Sequence, residues 1–210
     1  MVCPHLPRSL RGEVMERMTP AAWLSSLGLT LSPSYAELLY WVLDRIPTDA
    51  RNILDVGYGW GASTVLWLQH IPDASVVTVD PLPPGGYAGA RPTFDLEPEQ
   101  MARWRFVLGK LENVAELTGL PFDFIFLDAD HAYDSTVAQL AVCWDLLKPG
   151  GLLAGHDCYS FPEGVGRAVS EFAGYWNLPV EYTQLDAGAW LIRKPPETDY
   201  PTEGWTASNE

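Results

Sequence analysis

Short apolar runs that end in turns alternate with amphipathic segments along most of the chain. The apolar runs predict strands of a buried sheet. Five of them are Asn52–Val56, Ser75–Val79, Arg105–Leu108, Phe122–Leu127 and Leu152–Ala154. Two more, Val180–Gln184 and Ala189–Arg193, flank a short loop that contains Asp186 and Gly188, which predicts a hairpin.

The amphipathic segments predict helices at Ser34–Ile46, Ala62–Ile71, Tyr133–Leu147 and Val165–Tyr175. Ser34 and Glu37 have the spacing of a capping box, and Pro47 should end the first helix. Strands that alternate with helices indicate an α/β fold with a mostly parallel sheet and helices on both faces. Ligands of such sheets bind beyond the carboxyl ends of the strands, so the residues that follow each strand are the functional candidates.

The expected domain spans residues 34–194. Residues 1–33 should form an arm with a short helix, and residues 195–210 a polar tail. Residues 81–98 contain five prolines and three glycines, which predicts a long loop of the kind that often forms a lid. The first 20 residues mix charges and prolines without an apolar centre, so we expect no secretory signal.

Length, charge and cysteine content narrow the function classes. The 210 residues fit one domain, and no apolar stretch approaches the ~20 residues of a membrane span, so no membrane partner is expected. The net charge of −14 repels phosphate backbones and argues against a nucleic-acid partner. Three scattered cysteines, Cys3, Cys143 and Cys158, favour a reducing cytoplasm. Nine tryptophans could line an aromatic substrate pocket or a subunit interface, as in a homodimer.

A glycine-rich turn with Gly57, Gly59 and Gly61 follows the first strand. Glycines allow a tight turn and a close approach of a ligand, and the next helix directs its N-terminal N–H groups at that ligand. The second strand ends in Asp80, whose carboxylate can accept hydrogen bonds from the hydroxyls of a ribose. Together these features predict an adenosine-ribose site; the alternative is a tight turn without a ligand and a solvated acid.

Two kinds of nucleoside cofactor are compatible with this turn. The spacing Gly57-x-Gly59-x-x-Ala62 also satisfies the loose dinucleotide pattern of NAD enzymes. Asp55 argues against NAD, because an apolar strand residue is usual there, whereas an acid suits a ligand with a cationic amino-acid end. The terminal hairpin also differs from the second half of a dinucleotide fold. Trp60, inside the turn, could shield the cofactor or cover a neighbouring helix.

Acidic and imidazole side chains follow the fourth and fifth strands. Asp128 and His131 come after the fourth, and His156 and Asp157 after the fifth. If they converge, they could hold one divalent cation, which lowers the pKa of a bound substrate hydroxyl, and an imidazole could then take the proton. The alternatives are that Asp128 only caps the next turn, that Asp130 or Asp134 caps the following helix, and that the histidines are satisfied polar groups.

As a set, several motifs resemble those of class I S-adenosylmethionine-dependent methyltransferases: Asp55-x-Gly57-x-Gly59-x-Gly61, Asp80 and Leu146–Gly151. The resemblance covers about Ser34–Arg193 and implies a Rossmann-like sheet of seven strands in the order 3-2-1-4-5-7-6, with strand seven antiparallel. It also implies S-adenosylmethionine as the cofactor, with contacts from Asp55, Gly57, Gly59, Trp60, Gly61, Asp80 and Asp128.

A narrower set, Phe124 to Tyr133 together with His156-Asp157, resembles the small-molecule O-methyltransferases that act on sugars of antibiotics and related natural products. This resemblance implies that Asp128 and Asp157 bind Mg²⁺ and that His131 is the catalytic base. His156 replaces the first acid of the usual pair after strand five, so it could be a metal ligand, a catalytic base or neither. Both a Mg²⁺-assisted and a metal-free reaction therefore stay open.

The sequence thus predicts an S-adenosylmethionine-dependent methyltransferase that modifies a hydroxyl of a small molecule, such as a sugar or natural product. Alternatives are a metal-independent N- or C-methyltransferase, an NAD-dependent oxidoreductase, and a non-catalytic cofactor-binding protein. Asp55 and the terminal hairpin favour a methyltransferase over the oxidoreductase. Asp128, His131 and Asp157 favour catalysis over binding alone.

Overall fold

The computed structural model describes residues 18–88, 94, 96–113, 117 and 119–196. Within them, one sheet has seven strands in the order β3-β2-β1-β4-β5-β7-β6. The strands are β1 (Asn52–Val56), β2 (Ser75–Asp80), β3 (Trp104–Leu108), β4 (Phe122–Leu127), β5 (Leu147–Gly155), β6 (Val180–Thr183) and β7 (Ala189–Arg193). The first five pair in parallel, whereas β7 is antiparallel to β5 and β6. The predicted fold class and strand order are confirmed.

Six α-helices occur in the same described ranges. They are α1 (Pro20–Ser26), α2 (Pro33–Leu43), α3 (Ala62–His70), α4 (Pro98–Met101), α5 (Tyr133–Leu146) and α6 (Arg167–Tyr175). A π-helical turn, Pro162–Gly166, leads into α6. The predicted arm before residue 18, the predicted tail after residue 196, and residues 89–93 and 95 of the predicted lid loop lie outside the described residues.

The start of α2 differs from the prediction. Ser32, rather than Ser34, is the N-cap residue, and its side chain accepts a hydrogen bond from the Ser34 backbone N–H. Pro33 follows at the first helical position, where a missing N–H leaves no helical hydrogen bond unmade. The predicted capping box of Ser34 and Glu37 is therefore wrong. The Ser34 hydroxyl instead donates to Asp186 in the terminal hairpin, 2.6 Å away.

Two apolar cores cover the sheet, one including side chains of α5 and α6 and the other side chains of α1, α2 and α3. Large aromatic side chains fill both, so most of the tryptophans that enrich the sequence are packing residues rather than lining for a pocket. The buried tryptophans are Trp23, Trp67, Trp144, Trp176 and Trp190. Trp60, the tryptophan in the predicted cofactor turn, is by contrast 44% exposed.

The carboxyl ends of the parallel strands meet at one edge of the sheet, which is where the fold positions the site. The register pairs Val56 with Leu127 and Leu127 with Gly155. The residues that follow these strand ends are therefore neighbours in space although they are far apart in sequence. Among the described helices, none is long and apolar enough to cross a bilayer.

Candidate active site

A cavity of about 600 Å³ opens at this edge. Near β2 and β3 it is lined by the glycine turn, by Asp80 at the end of β2 and by residues that follow β3, among them Lys110. Near β4 and β5 it is lined by acidic and imidazole side chains and by Tyr35 of α2. The predicted cofactor turn and the predicted polar cluster are thus parts of one continuous cavity.

The three glycines of the turn all have positive φ angles, 97° for Gly57, 51° for Gly59 and 82° for Gly61. A Cβ on Gly57 would collide with the backbone carbonyl of Asp128, so this glycine allows the ends of β1 and β4 to approach each other. A Cβ on Gly59 would meet no protein atom within 4 Å, because Gly59 faces open space in the cavity lining. Gly61 does not line the cavity and packs against two aromatic rings.

Asp80 connects the glycine turn to the predicted lid loop. One carboxylate oxygen accepts hydrogen bonds from the backbone N–H groups of Tyr58, at 2.8 Å, and Gly59, at 3.4 Å. The other accepts from the Leu82 backbone N–H, at 2.7 Å, and from the Tyr87 hydroxyl, at 3.2 Å. Of these four donors, only the Tyr87 hydroxyl sits on a side chain, so it can leave without moving the backbone of the turn. It occupies an acceptor position that a ligand hydroxyl would use.

Asp55 has a different position from that expected of a direct cofactor contact. Its side chain is fully buried and is absent from the cavity lining. The carboxylate accepts hydrogen bonds from the hydroxyls of Ser63 and Thr64 and from the indole N–H of Trp67, all on α3. Burial raises the pKa of Asp55 to about 7, although the three donors act in the opposite direction. Asp55 therefore anchors the first turns of α3 to β1.

Asp128 places a carboxylate at the centre of the polar cluster. The Tyr35 hydroxyl donates a hydrogen bond to one of its oxygens, 3.2 Å away. The other oxygen lies 3.6 Å from His156 Nδ1 and 4.0 Å from His131 Nε2. Burial by itself would raise the pKa of Asp128, but the two imidazoles hold it well below its usual range. The group is therefore ionised at neutral pH.

His131 lies between a carboxylate and an aromatic ring. Its Nε2 is 3.0 Å from Asp157 Oδ2, and its ring stacks on Phe161, with 4.3 Å between the ring centroids. The π-helical turn packs tightly against it, since a Cβ on Gly164 would collide with the His131 carbonyl. The Asp128 and Asp157 carboxylates raise the pKa of His131 to about 9. Its ring therefore carries protons on both nitrogens and a positive charge at neutral pH, unlike most unperturbed imidazoles.

His156 is more deeply buried and contacts acids through both ring nitrogens. Nδ1 lies 3.2 Å from Asp157 Oδ2, and Nε2 lies 3.3 Å from an oxygen of Asp186. Burial by itself would lower the pKa of His156, but the Asp128 and Asp157 carboxylates outweigh this effect and raise it to about 10. Asp157 itself has φ of 65°, an uncommon conformation for a residue other than glycine, and such strain often marks functional positions.

The cluster contains a group of three residues that could hold a cation: Asp128, His131 and Asp157 each offer one ligand atom, and these atoms lie within 4.8 Å of one another. The predicted ligand set had His156 where this group has His131. Mg²⁺ prefers oxygen ligands, whereas an imidazole donor suits ions such as Zn²⁺ or Fe²⁺. Mg²⁺ therefore fits these residues poorly, and two imidazoles already lie close to both carboxylates.

Three residues that contact the cluster were missed by sequence reasoning as site residues. Tyr35, Phe161 and Asp186 come from α2, from the segment after β5 and from the β6–β7 hairpin. None belongs to a motif with a known spacing, and only the tertiary fold brings them to the cavity. Asp130, by contrast, accepts hydrogen bonds from the Ala132 N–H and the Ser135 hydroxyl. It does not cap α5 as the alternative expected, because the N-cap residue is Ala132 and no side chain caps the helix.

Comparison with known families identifies the class of protein. The family described as a methyltransferase domain matches residues 54–158, half of the chain, which include both the glycine turn and the polar cluster. The chain belongs to this family, and the predicted enzyme class, a methyltransferase, is confirmed. No curated protein sequence matches the chain significantly.

Solved structures of methyltransferases share the fold. An O-methyltransferase from Bacillus cereus in complex with S-adenosylhomocysteine (SAH) has a TM-score of 0.56 and 18% identity, over 91% of this chain and 93% of that one. The O-methyltransferase TomG from Streptomyces achromogenes, involved in tomaymycin synthesis and bound to S-adenosylmethionine, has a TM-score of 0.58 and 17% identity, over 89% and 96%. The N-methyltransferase NodS from Bradyrhizobium japonicum has a TM-score of 0.52 and 16% identity, over 80% and 99%.

Proposed function

We propose that this methyltransferase transfers a methyl group from S-adenosylmethionine to a hydroxyl group of a small molecule. The observation that carries the proposal is the continuous cavity, which joins a nucleoside-type turn to a cluster of ionised carboxylates and imidazoles. The family supplies the reaction class, methyl transfer. The cluster supplies groups that bind and deprotonate a hydroxyl.

The donor end of the cavity fits the nucleoside. S-adenosylmethionine supplies a methyl group on a sulfonium, which is transferred without a covalent enzyme intermediate. Gly59 leaves open space beside the turn, and Asp80 offers carboxylate oxygens to the ribose hydroxyls once Tyr87 withdraws. The exposed Trp60 ring lies in the same lining and would cover the bound nucleoside. In this assignment Asp55 and Gly61 stabilise the turn from outside the cavity lining.

At the acceptor end, His131 takes the proton of the substrate hydroxyl in its neutral form. Asp157, 3.0 Å from Nε2, then stabilises the imidazolium, and Phe161 holds the plane of the ring. Asp128 is central to the cluster and accepts the Tyr35 hydrogen bond, which fixes its carboxylate. These contacts keep the base and its partners preorganised, so little reorganisation accompanies proton transfer.

A hydroxyl acceptor explains the need for this base better than an amine does. A neutral amine attacks a sulfonium methyl group without prior loss of a proton, whereas a hydroxyl needs a proton acceptor. Of the three similar structures named above, two are O-methyltransferases and one is an N-methyltransferase. The fold alone therefore does not decide whether the methyl group goes to oxygen or to nitrogen. The His131–Asp157 pair is the feature that favours oxygen.

The proposed reaction does not use the cation that the resemblance implies. Both carboxylates lie within 3.0 to 4.0 Å of imidazole nitrogens, which compensate the negative charge without a metal. The convergent group of Asp128, His131 and Asp157 is the observation that favours a second candidate, a cation-dependent O-methyltransferase. Turnover that persists after treatment with EDTA supports the first candidate, and turnover restored only by an added divalent ion supports the second.

The direct test is an assay with S-adenosylmethionine carrying a radiolabelled methyl group and a panel of sugars, catechols and amines. We expect label to enter hydroxyl-bearing compounds only, and His131→Gln to abolish this transfer while SAH still binds. Asp145→Asn, which alters an exposed acid on α5, is the matched control and should transfer label normally. Label that enters only amines would contradict the proposal.

A further inference from the structure

Asp186 lies in the loop of the β6–β7 hairpin, far in sequence from the residues that define the cluster. We infer that Asp186 is a positioning residue, whose contact with Nε2 holds the His156 ring so that Nδ1 faces Asp128 and Asp157. The catalytic meaning of this role rests on the proposed function, but the contact itself does not. Nothing in the sequence motifs assigns a role to this acid.

Two contacts fix the Asp186 carboxylate between α2 and β5. The Ser34 hydroxyl donates a hydrogen bond to Oδ1, at 2.6 Å, which leaves Oδ2 3.3 Å from His156 Nε2. Ser34 is itself fixed, because its hydroxyl lies 2.5 Å from that of the N-cap residue Ser32. The side chains of Asp186 and His156 are only 20% and 8% exposed, so bulk water screens the contact weakly.

The backbone of the hairpin loop is shaped to present this carboxylate. Asp186 has φ of 51°, in the left-handed region, and Gly188 has φ of 85°. A Cβ on Gly188 would collide with the Tyr159 ring, so the loop closes tightly against the segment after β5. A non-glycine residue in the left-handed region is a conformation that the surrounding structure must impose.

The contact acts through charge and distance rather than through a hydrogen bond. Nε2 lies 3.3 Å from Asp186 Oδ2, but it has no partner in hydrogen-bond geometry among the described residues. With Nε2 turned toward Asp186, Nδ1 faces Asp128 and Asp157, at 3.6 and 3.2 Å. A carboxylate behind a functional histidine restricts the orientation of its ring.

Other groups around His156 cannot take over this role. The Tyr35 ring packs at 5.2 Å between centroids and restricts the imidazole plane, but its hydroxyl donates to Asp128. Asp157 and Asp128 both face Nδ1. Among the described residues, the Asp186 carboxylate is the acid recorded beside Nε2.

The test is long-range ¹H–¹⁵N NMR of the full-length protein with ¹⁵N-labelled histidine, in which the His156 signals are assigned from their loss in His156→Gln. Asp186→Gly removes the carboxylate and suits the positive φ, so it should fold normally. We expect the nitrogen shifts of His156 to change in Asp186→Gly. Asp44→Asn, an exposed acid at the end of α2, should leave them unchanged.

His156 shifts that are the same in Asp186→Gly and the wild type would overturn the assignment. Thermal unfolding of each variant confirms that it is folded. Calorimetry with SAH keeps the two proposals separate, because Asp186→Gly should bind SAH as the wild type does. Failure of the wild type to bind SAH would contradict the proposed function and leave the NMR result on Asp186 standing.

Discussion

The Tyr87 hydroxyl donates a hydrogen bond to the Asp80 carboxylate, at 3.2 Å. Asp80 is the acid that the sequence assigns to a ribose, and Tyr87 belongs to the loop assigned as a lid. The Tyr87 side chain thus occupies the acceptor that the proposed ribose contact would use, so the proposal predicts that Tyr87 moves when the cofactor binds.

Tyr87→Phe should therefore bind SAH more tightly than the wild type. The phenylalanine cannot compete for Asp80, so the cofactor no longer has to displace a hydrogen bond worth ~1 kcal/mol, or roughly fivefold in affinity. Isothermal titration calorimetry measures the change. Tyr175→Phe, which alters an exposed tyrosine at the end of α6, serves as control. Weaker binding by Tyr87→Phe would show that the hydroxyl assists the cofactor instead.

Two glycine substitutions should separate packing from binding in the turn. Gly57→Ala forces the ends of β1 and β4 apart, because its Cβ collides with the Asp128 carbonyl, and we expect a loss of about 3 kcal/mol or more in unfolding free energy. Gly59→Ala meets no protein atom and should lose only ~1–2 kcal/mol through its left-handed conformation. Urea unfolding measures both.

The two variants should also differ in the property that they lose: Gly57→Ala mainly loses stability, and Gly59→Ala mainly loses affinity for SAH. A Cβ on Gly59 projects into the open space assigned to the cofactor, so Gly59→Ala should remain folded and bind SAH weakly. Equal stability losses in the two variants, or normal SAH affinity in Gly59→Ala, would contradict the assignment of the turn.

Asp55 should make the stability of the protein depend on pH. Its folded-state pKa of about 7 lies above the usual value of 3.8, so the folded state binds the proton more tightly than the unfolded chain. Its contribution to stability is therefore greatest below pH 4 and is lost as the pH rises to about 7. Between pH 5 and pH 8 the wild type should lose roughly 2–3 kcal/mol relative to Asp55→Asn, which cannot ionise. Urea unfolding of both proteins at the two pH values measures this difference, and a constant difference would contradict it.

His131 predicts the pH dependence of turnover. Its pKa of about 9 means that the basic form is a minor species at neutral pH and becomes the major one above pH 9. The rate constant kcat should therefore rise about tenfold per pH unit below 9 and level off above it. Asp157→Asn removes one of the carboxylates that raise this pKa, so its plateau should begin at a lower pH. A profile that is flat from pH 6 to pH 9 would exclude His131 as the base.

The strand pattern and the glycine turn could be predicted from the sequence because both depend on local rules. Apolar runs bounded by turns located all seven strands, and residues that follow the five parallel strands line the cavity. The start of α2 was mispredicted because Ser32 and Ser34 are equally good N-cap residues locally, and Pro33 decided between them. The fifth strand is longer than predicted, because the Gly150 N–H bonds to the Lys194 carbonyl across the sheet.

The sequence could predict that five residues lie in the site: Asp80, Asp128, His131, His156 and Asp157. It could not predict how these groups shift one another's pKa values. The raised pKa of His131 follows from distances to two acids that only the folded chain sets. The buried position of Asp55 depends on three donors from α3, which no motif spacing describes.

Calorimetric titration of the wild type and Asp80→Asn with SAH and with NAD⁺ tests the central claim, that this cavity holds the nucleoside of a methyl donor against Asp80. We expect SAH to bind the wild type more tightly than NAD⁺ does. Asp80→Asn should lose ~1–3 kcal/mol of SAH affinity, roughly 5- to 150-fold, because a buried acceptor for the ribose is weakened. Tighter binding of NAD⁺, or SAH affinity that does not change in Asp80→Asn, would contradict the account.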